Sequence, residues 1–197
     1  MATFLFDKII FGPVQSRRLG ASLGINLLPN DRKVCTFDCI YCECGWTTGG
    51  QSSSGLHRRV DIKAGLEQRL MEMKANDEPL DTITFAGNGE PTMHPEFDLI
   101  IQDTLALRNR LFPDAKVAVL SNSSLIHKRK VFNALKRIDM NILKLDSAFE
   151  QTIRRLNQPA GTLDVNRLIE NLAAFQGSVT IQTLFLKARY HGYMIDN

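Results

Sequence analysis

At 197 residues, with 44% hydrophobic and 23% charged side chains, the chain has the size and make-up of one globular domain and is neither fibrous nor disordered. A formal net charge of +3 is too small to argue for nucleic acid by itself, so no DNA is expected as a partner. No apolar run approaches the roughly 18 residues of a membrane span, and residues 1–11 lack a basic segment followed by an apolar one, so the expectation is a cytoplasmic protein with no membrane partner.

From residue 23 onward strand signals alternate with helix signals, the pattern of a parallel α/β sheet. The expected strands are 23–28, 82–86, 116–120, 141–145 and 179–186, each short, apolar and rich in branched residues or ended by turn formers. The intervening helices carry apolar stripes at three- and four-residue spacing. Ile62, Leu66, Leu70 and Met73 form the first, then Phe97, Ile100, Ile101 and Leu105, then Val131 and Leu135. The last stripe is Val165, Leu168, Ile169, Leu172 and Phe175. These stripes read as core. The glycine- and serine-rich stretch 45–55 reads as a mobile loop, either a lid or a plain connection. The basic run at His127, Lys128, Arg129 and Lys130 reads as a solvated helix face, with a phosphate site as the minority reading.

All four cysteines fall within ten residues, Cys35, Cys39, Cys42 and Cys44, directly after the first strand and a Pro29-Asn30-Asp31 turn. Disulfides would close tiny loops and tie nothing together. Inert buried thiols would not need to converge on one loop. Metal ligation is the reading left, with a structural zinc site as a rival that would ordinarily use two separated ligand pairs. Open α/β sheets place ligands at the carboxyl ends of their strands. Ser121 with Asn122, Asp146 with Ser147, and Gln182 all occupy such positions, although turns that end a strand explain the Asp and Ser nearly as well. Lys144 lies one pleat before Asp146 on the same face.

The spacing Cys35-x3-Cys39-x2-Cys42, with Tyr41 before the third cysteine, resembles the radical S-adenosylmethionine (radical SAM) superfamily. The stretch from Gly12 through Arg17 and Arg18 to Gly20 is similar to the group that includes wyosine-type tRNA synthases. The resemblance implies a [4Fe-4S] cluster on Cys35, Cys39 and Cys42, with one iron left open for the amino and carboxylate groups of S-adenosylmethionine. It further implies an external one-electron reductant and a 5'-deoxyadenosyl radical that takes hydrogen from a substrate; a tRNA base is one candidate. Gly87-Asn88-Gly89-Glu90-Pro91 resembles the family's Gly-Gly-Glu-Pro turn, with Asn88 as the departure. By that resemblance the cofactor-binding set is Tyr41, Gly87, Asn88, Gly89, Glu90, Ser121, Asn122, Lys144, Asp146 and Ser147, with the Glu90 carboxylate and backbone carbonyls orienting the ammonium.

Arg154, Arg155 and Asn157 resemble a stretch bordering the cofactor, but adjacent arginines on a helix cannot share one face. Arg17 and Arg18 read as surface first and as anion ligands near the cluster loop second. Cys44 is outside the three-thiolate pattern and reads as a bystander first or a substrate-facing thiol; a fourth thiolate would instead make an electron-carrier or four-cysteine zinc module, the competing function. The expected fold is a partial (β/α) barrel over 1–197, with 23–60 as first strand plus cluster loop and 61–197 as the remaining units. Five of the family's usual six units can be counted, so a chain truncated at its carboxyl end is the expectation.

Overall fold

The computed structural model describes residues 4–47 and 55–196. Strand β1 (Ile10–Ser16) runs antiparallel to β2 (Gly20–Ile25), and β2 then begins a parallel series with β3 (Thr82–Phe85), β4 (Lys116–Ser121), β5 (Met140–Lys144) and β6 (Thr180–Gln182). The spatial order equals the chain order, β1 to β6, because each parallel step is made through helices. These are α1 (Arg59–Ala75), α2 (Phe97–Leu111), α3 (Arg129–Leu135), and then α4 (Glu150–Leu156) with α5 (Val165–Ala173) before β6. Among the described residues β6 does not pair with β1, so the sheet is open, as in a partial (β/α) barrel.

Alternation along the strands explains the core. Leu23, Ile25, Ile83, Phe85, Val117, Val119 and Leu143 are fully buried in one cluster with Ile62, Leu66, Leu70 and Met73 of α1 and with Phe97, Ile100 and Ile101 of α2. Their strand neighbours Ser22 and Thr84 share a hydrogen bond of 2.7 Å. Beside them, Gly24 leaves the space that the ring of Phe11 fills. Two stripe residues depart from expectation. Ile169 is 37% exposed because it lies one residue, about 100° of helix turn, from Leu168, while Leu105 packs only at the edge of the cluster.

The five expected strands are the five parallel ones, with shifted ends. β6 is short because Thr183 and Leu184 turn back onto β5's end: Thr183 Oγ1 donates to Leu145 O at 2.7 Å and Leu184 N to Asp146 Oδ1 at 2.9 Å. Three strands were not expected. In β1 the Gly12-Pro13 pair breaks the apolar pattern and sits at a register shift between Phe11 and Val14. The hairpin of β7 (Lys187–Tyr190) and β8 (Tyr193–Asp196), turning at His191-Gly192, is mostly exposed and so carries little periodicity. No helix among the described residues is long and apolar enough to cross a membrane. Of the glycine- and serine-rich stretch expected as a loop, residues 48–54 lie outside the described residues.

Candidate active site

The four cysteines sit on the loop that follows β2, and two neighbouring segments strap this loop to the carboxyl edge of the sheet. On one side Val34 forms a parallel bridge with Gly89: Val34 N donates to Asn88 O at 2.9 Å and Glu90 N to Val34 O at 3.0 Å. The approach is so close that a Cβ on Gly89 would lie 1.9 Å from Val34 O, and Gly89 has φ +138°, so only glycine suits the position. On the other side Phe37 bridges Pro159, with Asp38 N donating to Gln158 O, Ala160 N to Thr36 O and Ile40 N to Leu156 O. This second strap brings Asn157, at the end of α4, against Cys39.

Each cysteine has a distinct environment. Cys35 Sγ accepts from Phe37 N and from Asn122 Nδ2, both at 3.5 Å; burial pushes its thiol up to about 11. Cys39 Sγ accepts from Asn157 Nδ2 at 3.3 Å, and burial likewise raises it. Cys42 is held below the ordinary thiol range by the neighbouring Cys44 thiol and, against burial, by the Lys33 ammonium. Cys44 Sγ donates to Gly87 O at 3.6 Å, and its own thiol is raised by the neighbouring Cys42. Lys33 is a buried cation under the loop. Its Nζ donates to Asp38 Oδ1 and to Gly45 O, both at 2.9 Å; burial would lower its pKa, but Asp38 and the nearby thiols raise it. Among the described residues no three His, Cys, Asp or Glu side chains converge as ligands of a single ion.

Glu90 is buried at 2% exposure and works as a brace. Its Oε1 accepts from Thr92 N at 3.1 Å, Thr92 Oγ1 at 2.5 Å and Ser121 Oγ at 2.8 Å, and its Oε2 from Asn122 N at 2.6 Å. Burial nevertheless raises its pKa, these donors only partly offsetting the loss of water. Asn88 is wholly buried with its side chain turned to the amino-terminal segment, donating to Phe6 O and Pro29 O and accepting from Phe6 N. The departure from the Gly-Gly-Glu-Pro pattern thus has a structural role.

A second polar group gathers Tyr41, Lys144, Asp146 and Asn157. Tyr41 donates its hydroxyl to Asp146 Oδ2, Lys144 Nζ donates to Tyr41 Oη at 2.8 Å, and Asn157 Nδ2 lies 2.5 Å from Asp146 Oδ2. Burial, the Cys39 thiol and Asp146 push the Tyr41 phenol well above its usual range. Ser147 stands apart, its Oγ accepting from Phe149 N at 3.2 Å, and Gln182 contributes only its backbone, to Leu145 N.

Other expected neighbours are elsewhere. Arg17 and Arg18 sit exposed in the β1–β2 turn, at the edge of the sheet opposite the cysteine loop, a six-residue strand of roughly 20 Å away. Arg154 pairs with Glu150 and Arg155 lies over the Tyr193 ring, so the two diverge as adjacent helical residues must. Sequence reasoning missed Asn26, whose buried side chain receives Leu28 N and Asn88 N, and Lys33; their signal was a polar residue next to the first strand and the cysteines.

A family model described as the radical SAM superfamily matches residues 32–188, which include the cysteine loop, the Gly87–Glu90 turn and strands β3 to β6. The chain belongs to the radical SAM superfamily. That superfamily works with a [4Fe-4S] cluster and S-adenosylmethionine. It is 35% identical over 187 residues to a UPF0026 protein of Methanocaldococcus jannaschii, covering 90% of this chain and 54% of that one. It is 34% identical to a protein named GTPase Obg of Brachyspira hyodysenteriae, covering 93% of this chain and 26% of that one. Against a UPF0026 protein of Helicobacter pylori strain J99 the identity is 32%, over 91% and 56% of the two chains. The chain thus spans about half the length of the curated UPF0026 relatives. In fold, this radical SAM chain is similar to a solved structure of TYW1 with a lysine-pyruvate adduct bound, with a TM-score of 0.52 and 17% identity over 83% of this chain and 55% of that one.

The donor chemistry around the cysteines fits an iron-sulfur cluster. The amide hydrogens offered to Cys35 and Cys39 and the Lys33 ammonium beside Cys42 each favour the thiolate that a cluster ligand requires, although burial outweighs them at Cys35 and Cys39 while the protonated thiols stand without iron.

Proposed function

We propose that Cys35, Cys39 and Cys42 hold the cluster, and that the enzyme reductively cleaves S-adenosylmethionine to abstract hydrogen from an organic substrate. The observation that carries this reading is the shared backbone ladder of Val34 and Gly89, which sets the cysteine loop beside the Gly87–Glu90 turn at the sheet's carboxyl edge. Bound together, cluster and S-adenosylmethionine supply one-electron cleavage of a carbon–sulfur bond and a 5'-deoxyadenosyl radical that takes a hydrogen atom.

The chain's own residues bind and orient. Glu90, its oxygens taken up by four donors, fixes the turn whose backbone carbonyls, at Gly87 and Gly89, are the acceptors for the ammonium of the methionine moiety. Lys33 anchors the far end of the loop through Asp38 and Gly45. Lys144, beside Tyr41 and Asp146, is the cation for a carboxylate approaching that side. An external one-electron donor completes the reaction.

Anaerobic reconstitution with iron and sulfide, followed by electron paramagnetic resonance of the reduced protein with and without S-adenosylmethionine, tests this reading. A [4Fe-4S] signal that changes on adding S-adenosylmethionine is expected; an unresponsive cluster or retained zinc would sink it. A tRNA base as substrate is a second reading, favoured by the exposed Lys128, Arg129 and Lys130 that follow β4's carboxyl end. It requires RNA binding that weakens steeply with salt.

A further inference from the structure

We infer that the side-chain amides of Asn157 and Asn122 are dedicated hydrogen-bond donors to the sulfurs of Cys39 and Cys35, and that they set the reduction potential of the cluster. The inference rests on the cysteine assignment proposed above.

The proton count carries it. An amide nitrogen has two hydrogens. For Asn157, one goes to Asp146 Oδ2 at 2.5 Å, and the other lies within reach of Cys39 Sγ at 3.3 Å and Tyr41 Oη at 3.1 Å. The Tyr41 oxygen already accepts from Lys144 Nζ at 2.8 Å and gives its own hydrogen to Asp146. The sulfur is therefore the acceptor that needs the second amide hydrogen. For Asn122, one hydrogen goes to Thr36 Oγ1 at 2.8 Å and the other to Cys35 Sγ at 3.5 Å. Its carbonyl oxygen is pinned by Ser124 N at 2.9 Å and its backbone N by Glu90 Oε2 at 2.6 Å. At 1% and 7% exposure, neither amide can turn to water instead.

The two donors come from different elements, the end of α4 and the end of β4, and converge on two sulfurs of one loop. A hydrogen bond to a ligating sulfur draws charge off it, so the more negative reduced cluster gains more than the oxidised one and the potential rises. Asn157 and Asn122 are thus positioning residues that make the first electron easier to accept, acting through the cysteines.

The test is a redox titration followed by electron paramagnetic resonance on the anaerobically reconstituted wild type, Asn157→Leu and Asn122→Leu, with iron content measured on each. Each variant is expected to hold the wild-type amount of iron, while the ratio of oxidised to reduced cluster at a fixed poise rises about tenfold, equivalent to about 59 mV for one electron. Wild-type potentials in variants with full iron content overturn the inference. Should a variant hold no cluster, the wild type labelled with 15N in its asparagine side-chain amides decides. Spin-echo modulation from that nitrogen at the reduced cluster upholds the inference, and its absence overturns it. A wild type that assembles no cluster overturns the cysteine assignment and the inference with it, an outcome distinct from unchanged potentials.

Discussion

The carboxylate of Glu90 accepts the hydroxyl of Ser121 at 2.8 Å although the two residues lie 31 positions apart in the chain. Through this contact the turn after β3 is locked to the carboxyl end of β4, and the same carboxylate holds the backbone of Asn122, whose side chain reaches Cys35. One buried acid thus couples the glycine turn, a strand end and a cysteine.

Glu90→Gln is expected to lower stability at neutral pH by about 1–3 kcal/mol, because an amide NH₂ cannot accept from the Asn122 N–H or the Thr92 donors. The pH dependence has a definite sign. The folded-state pKa of Glu90 is raised by burial above the unfolded value of about 4.3, so the folded chain keeps a proton that the unfolded chain releases. Its contribution is full below the unfolded pKa and is lost as pH rises through the folded one. Urea midpoints measured across that window are expected to fall with pH for the wild type more than for Glu90→Gln. Parallel profiles would refute the assignment.

Lys33 is buried while its partner Asp38 keeps 27% of its side chain exposed, so the pair is intermediate between a surface bridge and a buried one. Lys33→Met is expected to cost roughly 2 kcal/mol, below the 3–5 kcal/mol of breaking a fully buried pair. In a double-mutant cycle with Asp38→Asn, urea unfolding is expected to give a coupling of about 1 kcal/mol, and additivity would mean that the clasp contributes nothing. The raised ammonium pKa means this stabilisation is present below about 10.4 and is lost as pH climbs through the folded value, so the wild type weakens in alkali more than the variant does.

Two glycines are expected to respond oppositely to the same change. At Gly65, inside α1, an added Cβ meets only Ile10 Cγ1 at 3.5 Å, so Gly65→Ala is expected to stabilise by about 0.5–1 kcal/mol through helix propensity. At Gly89 the Cβ would fall 1.9 Å from the Val34 carbonyl and the positive φ disfavours it further. Gly89→Ala is expected to cost about 2 kcal/mol or more and to loosen the cysteine loop. Thermal unfolding of both single variants checks the pair, and equal effects would argue against the Val34–Gly89 strap.

What the sequence made legible follows from which signals are local. The parallel strands and the stripes of α1 and α2 declare themselves because burial on one face imposes a period, and the cysteine spacing is a pattern within ten residues. The chemistry around those cysteines was harder to read because it is assembled from afar. Asn157 reaches Cys39 across 118 positions and Asn122 reaches Cys35 across 87, contacts that no window of sequence contains. Asp146 and Glu90 were legible as polar residues at strand ends, but not that Asp146 is enclosed by donors from three separate segments and Glu90 by donors from two. Asn88 was visible only as a break in a motif, since its partners Phe6 and Pro29 belong to segments with no periodicity of their own.

The cysteine series separates a three-thiolate cluster from a four-thiolate carrier. Cys35→Ala, Cys39→Ala and Cys42→Ala are each expected to leave the reconstituted chain without its [4Fe-4S] signal, whereas Cys44→Ala is expected to retain it. Loss of the signal in Cys44→Ala as well would instead make Cys44 a ligand and this site a closed one, with no iron left for S-adenosylmethionine.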